Sequence, residues 1–202
     1  LYFAWTSGDH IVEQHVHNID VVNWAMGKHP VRARGMGGRQ ARTHERYGHV
    51  FDHFAVQFEY DDGTILNSQC RQIDGSANRV DEMLVGSEGV VRCGAGEITG
   101  KNAYKHPREN QPNPYEVEHR DLFAAIRAGK PVDEATAVAE STLTAIMGRL
   151  SAYSGQEVTW DQALAMDLDL SPAKYEFGPL PVPPVAIPGQ YKLPGPVAGM
   201  GK

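Results

Sequence analysis

The chain has 202 residues, enough for one medium domain or two small ones and for a buried core. Hydrophobic residues make up 41% and charged residues 22%, the mix of a soluble globular protein. A net charge of −6, a pI near 5.8 and the lack of any Lys/Arg cluster exclude nucleic acid and anionic membranes as partners, and no apolar run approaches the ~20 residues of a membrane span.

The chain opens on Leu1 rather than methionine, with nothing like a signal peptide before the first periodic segment. That start is expected of a piece of a longer protein. The compartment is left open: cytoplasm, or periplasm if an earlier segment carried an export signal. Cys70 and Cys93 are too few for a disulfide framework or a zinc site, and both read as small buried thiols.

Residues 9–26 read as the first helix, with Asp9 as N-cap, Gly27 as C′ residue and Pro30 soon after. Segments 30–42, 49–60 and 64–73 have strand character. Phe54, Val56, Phe58 and Tyr60 alternate with Ala55, Gln57 and Glu59, the period-2 signature of a half-buried strand. Asp61-Asp62-Gly63 then supplies a tight turn, so 49–73 is a hairpin. "RVDEMLVGSEGVVRC" continues in the same style, turning at Gly86-Ser87-Glu88-Gly89.

Residues 100–114 read as an exposed loop carrying Tyr104 and His106. Asn113 and Pro114 then open a helix that Gly129 closes. A long helix follows from about Asp133 to Tyr153, and a short one, "DQALA", after Trp160. Helix, strand block, then helices implies an α+β fold: a large open, mostly antiparallel sheet with helices on one face. From Ser171 the composition changes, since eight of the thirteen prolines lie between Pro172 and Pro196. The expected division is a domain over 1–170 and a Pro-rich extended tail over 171–202.

On a helical wheel, Ile11, Val12, Val16, Ile19, Val22 and Met26 of the first helix share one arc, with His15 in its middle as a hydrogen-bonded core histidine. His10, Glu13, His17, Asp20 and Trp24 form the opposite stripe. A histidine with carboxylates one turn to either side can be held in one tautomer, as a proton-transfer group requires. Spacing alone leaves three readings open: such a group, a solvated helix face, or a metal set of His10, Glu13 and His17, although the HExxH spacing is lacking.

"SGDHIVEQHVHNIDVVNWAMGKHP" resembles the start of the C-terminal domain of the Gfo/Idh/MocA oxidoreductases. The pattern of that family is a carboxylate, a histidine four residues on, an aspartate three beyond, and a W-x-x-G helix end. Here it is carried by Glu13, His17, Asp20, Trp24 and Gly27. "YEVEHRDLFAAIRAGKPV" and "ESTLTAIMGRLSAYSGQEVTWDQAL" resemble the family's later helices, so the likeness covers roughly 1–170.

The resemblance implies the substrate-binding half of an NAD- or NADP-dependent oxidoreductase acting on a sugar, polyol or related hydroxyl compound. His17 would be the general base and Glu13, where aspartate is commoner, would orient it or the substrate. The cofactor would sit mainly on an N-terminal Rossmann domain outside this chain, which also supplies a lysine, so the chain alone would not turn over. The "GMGGRQ" run at 35–40 lies between strands and reads as a strand of small residues, not a phosphate loop. His10, Asp20, Trp24, Arg71 and Glu118 are candidate substrate contacts, and no metal is called for. Asn67, Gln69 and Arg71 share a polar strand face, and the family's open sheet face implies a homo-oligomer. The alternative is a non-catalytic carbohydrate-binding or assembly module.

Overall fold

A computed structural model describes residues 2–198; Leu1 and 199–202, at the outer ends of the two predicted segments, lie outside the described residues. The chain divides into two compact units, residues 1–77 with 139–202, and residues 78–138.

In the first unit the apolar alternation builds the central strand, β2 (His53–Glu59). It pairs antiparallel with β1 (Arg32–Gly38) on one side and β3 (Ile65–Arg71) on the other, and β8 (Val158–Thr159) adds to β1, giving the order β3-β2-β1-β8. Phe54, Val56, Phe58 and Tyr60 all point inward and are buried, as the period of two predicts. They pack with Ile11, Ile19, Met147 and Leu150 into one core. Cys70 packs at its edge, where burial pushes its thiol up to about 12.

The glycines of β1 let a long helix, α5 (Ala135–Ser154), lie close on the sheet. A Cβ on Gly35 would stand 2.9 Å from the Ala152 backbone nitrogen, too close for any side chain. The Gly35 N–H donates to Ser151 Oγ at 2.7 Å, and that hydroxyl is shared with the Gln156 carbonyl at 2.6 Å. The opposite sheet face is open. Met36, Gln57, Asn67, Gln69 and Arg71 are exposed there.

The predicted single helix over 9–26 is instead α2 (His10–Glu13) and α3 (Val16–Met26), preceded by the short α1 (Ala4–Ser7). The break at Gln14 and His15 has a tertiary cause. His15 Nε2 lies 2.7 Å from Ser68 Oγ on β3, and the Gln72 amide donates to Gln14 Oε1 just beyond that strand. Two side chains tied to the sheet end the first helical turn and restart the helix. Asp9 caps α2, and Gly27 closes α3 in the left-handed conformation at φ 66°.

After Gln162 completes a capping box with Thr159, α6 (Trp160–Ala165) ends the regular structure. Residues 171–198 form neither helix nor strand, and Val185, Ala186, Tyr191 and Leu193 of this stretch pack against the core.

In the second unit, β4 (Met83–Gly86), β5 (Gly89–Arg92), β6 (Glu97–Gly100) and β7 (Tyr104–Lys105) form an antiparallel meander. The fold is therefore α+β with two open four-stranded sheets, not one large sheet. The helix α4 (Pro114–Arg127) carries the predicted N-terminus, with the Asn113 side chain accepting from Tyr115 N–H at 3.0 Å. Among the described residues, no helix is long and apolar enough to cross a membrane.

Candidate functional site

The rotation of α3 about its axis is set by polar pins at both ends. Near its C-terminus, Asn23 is buried and accepts from Tyr60 OH at 2.7 Å while donating to Thr144 Oγ1 of α5 at 3.1 Å. Burial, with a smaller contribution from Asp62, pushes the Tyr60 hydroxyl up to about 12, so it stays a donor. At the other end stands the His15–Ser68 contact. With these faces committed inward, His17, Asp20 and Trp24 of α3 are left exposed, and Glu13, at the end of α2, is exposed as well. Trp24 is 82% exposed, unusual for so large an aromatic side chain. Asp20 Oδ1 accepts from Ser141 Oγ at 2.6 Å, which fixes its carboxylate. His17 makes no side-chain hydrogen bond among the described residues, and no Glu13–His17 pair forms, because the break at 14–15 puts them on different helices.

His10 departs from its predicted stripe. Once α2 is a separate turn, the wheel no longer applies across the break, and the ring turns inward to 7% exposure beside Phe54. Its partner is Asp9, a fully buried carboxylate at φ 73° that accepts from His10 N–H at 2.6 Å and His10 Nδ1 at 3.0 Å. The other Asp9 oxygen accepts from Phe51 N–H at 2.8 Å and Tyr153 OH at 2.7 Å. His10 also lines a tight cavity with Tyr2, Arg42, Tyr47 and Gln72. Wheel and spacing gave no hint of this pairing, since Arg42 and Tyr47 come from a loop far along the chain.

The other predicted contacts are elsewhere. Arg71 sits on the open face of β3, with Nη2 donating to the Ala77 carbonyl at 3.0 Å, opposite the face that carries Ser68 and α3. Glu118 is exposed on α4 in the second unit. The metal grouping of His10, Glu13 and His17 is not assembled, and no cluster of three His, Cys, Asp or Glu suited to a cation occurs among the described residues. The 35–38 glycines are consumed in strand pairing and in contact with α5, so they offer no phosphate cradle for a dinucleotide.

His15 yields a prediction about stability. Burial first, then the nearby His10, hold its pKa down to about 4 from 6.5, against a hydrogen bond with Asn18 that raises it. The unfolded chain therefore takes up a proton before the folded one. The resulting stability is complete above pH 6.5 and is lost as pH falls toward 4, by roughly 3 kcal/mol. Urea unfolding at neutral pH and near the lower limit should show His15→Gln losing distinctly less stability on acidification than the parent.

Residues 2–92 match the GFO/IDH/MocA C-terminal domain. Over this segment, a little under half of the chain, the protein is similar to that family. The segment contains α1 to α3, the whole stripe and the His10 cavity, whereas Glu118 falls outside it. No curated protein sequence matches the chain. Among solved structures, myo-inositol 2-dehydrogenase from Lactobacillus plantarum is 23% identical, covering 76% of this chain and 49% of that one with a TM-score of 0.60. Scyllo-inositol dehydrogenase from Lactobacillus casei, with bound NAD(H) and scyllo-inositol, is 16% identical over 76% and 49%, with a TM-score of 0.59. UDP-N-acetylglucosamine 3-dehydrogenase from Acidithiobacillus ferrooxidans is 18% identical over 71% and 47%, at 0.58. At such identities the likeness is one of fold. The chain spans about half the length of these structures.

Proposed function

We propose that this GFO/IDH/MocA-like chain is the substrate-binding and base-supplying part of an oxidoreductase acting on a CH–OH group of a sugar, polyol or related compound. The observation that carries the reading is the exposure of His17, Asp20 and Trp24 on the pinned α3, with Glu13 exposed just before it, all inside the family-matched residues. The inositol and nucleotide-sugar dehydrogenases of the same fold support the substrate class.

His17, exposed and uncommitted, takes the hydroxyl proton. Glu13, which does not touch His17, acts on the substrate. Trp24 offers a flat apolar surface to the C–H face of a sugar ring, and Asp20 beside it accepts from a neighbouring hydroxyl. NAD or NADP, the hydride acceptor of such a reaction, would be held by a Rossmann domain outside the described residues. The segment 1–170 would then be the substrate domain, and the open sheet face with Met36, Gln57 and Gln69 would meet a second copy.

The test is to assay the full-length protein with NAD and NADP against cyclitols and sugars, following nicotinamide reduction. Turnover of at least one of them is expected. Absence of both turnover and binding across the panel would refute the reading. Trp24→Ala should raise KM roughly tenfold while leaving kcat within about twofold, the pattern of lost binding shared by ground and transition states.

A further inference from the structure

Two residues that line the cavity, His10 and Arg42, each carry a buried polar atom that the protein leaves without a partner. Asp9 faces Nδ1 of the imidazole at 3.0 Å, so that nitrogen carries the hydrogen, and the other ring nitrogen, Nε2, is the lone-pair site whenever the ring holds one proton. Nε2 is buried and has no hydrogen-bond partner among the described residues. The second atom is Arg42 Nε, likewise buried and unpartnered. The rest of that guanidinium is committed: Nη1 donates to Gln72 Oε1 at 2.8 Å and Nη2 to Asp74 at 3.3 Å. Its planar group lies 5.4 Å from the centre of the Tyr47 ring.

An unmade hydrogen bond at a buried atom is costly, and here the residues carrying an unpaired acceptor and an unpaired donor line the same space. A carboxylate or phosphate oxygen accepts from arginine but has nothing to donate to a neutral imidazole. An ammonium donates to the imidazole but is repelled by the guanidinium. A hydroxyl does both, donating its hydrogen to Nε2 and accepting from Arg42. The space is tight, with room for a single such oxygen. Around it exposure rises from the buried His10 and Phe51 to the half-buried Tyr2 and Tyr47, whose rings meet edge to face at 5.1 Å. A polar floor with an aromatic mouth suits a polyol, which has hydroxyls for the floor and C–H faces for the rings.

We infer that the Asp9-oriented His10 and Arg42 form a subsite for one hydroxyl group of a sugar or polyol ligand. The inference rests on the reading of the chain as polyol-binding and adds a recognition point away from the His17 stripe.

The experiment uses the full-length protein with 15N-labelled histidine, titrated with cyclitols and hexoses while Trp24 fluorescence and the His10 ring nitrogens are followed together. In the free protein His10 should show the Nδ1–H tautomer. Its Nε2 resonance should then move with the same midpoint as the Trp24 signal. Arg42→Met, which keeps the apolar stem, should raise that midpoint roughly tenfold, and His10→Phe should do the same if it folds. If Trp24 responds and Nε2 stays still, the cavity holds water only and the subsite is refuted while polyol binding stands. If neither responds to any compound, both the subsite and the polyol reading are overturned. An unchanged midpoint in Arg42→Met also overturns the subsite.

Discussion

Replacing Asp9 by alanine should destabilise the first unit by about 3–5 kcal/mol, the cost of removing one member of a buried charged network. The Asp9 carboxylate is fully buried and serves four donors: the backbone N–H groups of His10 and Phe51, the His10 ring and Tyr153 OH. These tie α2, the approach to β2 and α5 together. Arg149 is also buried and is attracted by Asp9, and its Nη1 donates to the Gly8 carbonyl at 3.0 Å. Burial lowers the Arg149 pKa, and Asp9 is among the groups that oppose this shift. Alanine at 9 leaves that guanidinium in a low-dielectric site with one compensating charge fewer and strands Tyr153 OH. It also keeps the positive φ that only glycine adopts freely. Asp9→Asn preserves the shape and one acceptor oxygen but loses the charge and sets its NH2 against two of the four donors, so it should lose less than alanine but well more than nothing. Urea denaturation of the three proteins checks the order, and a loss below about 1 kcal/mol for Asp9→Ala would mean the network is not a keystone.

Much of this arrangement was legible before any coordinates. The burial of Phe54, Val56, Phe58 and Tyr60 follows from period-2 alternation, and the Asp-Gly turn, the Asn113-Pro114 helix start and the Gly27 stop each follow from local chemistry. What escaped was set by distant partners. The interruption at Gln14 and His15 depends on Ser68 and Gln72, 53 and 58 residues away, and no local signal announces it. A wheel drawn through an unbroken helix therefore placed His10 beside His17, whereas the folded chain gives His10 to Asp9. The split into two sheets escaped for a similar reason. Strands β4 and β5 read in the same style as β2 and β3, the two-residue β7 falls inside the stretch that reads as a loop, and which edge pairs with which is decided by the intervening chain, not by the period.

The largest functional effect is expected at His17. His17→Ala in the full-length protein should lower kcat by about 10²–10⁴-fold, the range for losing a positioned general base, with KM changed only a few-fold. No second imidazole lies on the stripe to replace it. Asp20 is bound to Ser141, and Glu13 belongs to the preceding helical turn. His17 is exposed and makes no side-chain hydrogen bond among the described residues, so the substitution should shift stability by no more than about 0.5 kcal/mol. An unchanged melting temperature would then separate lost chemistry from lost fold. The decisive comparison is with His10→Gln. Should His17→Ala keep near-parental kcat while His10→Gln abolishes it, the base is the Asp9-oriented imidazole, and the exposed stripe only binds. Glu13→Gln should fall between these extremes, since the role proposed for this carboxylate, acting on the substrate without touching His17, is one of positioning more than proton transfer.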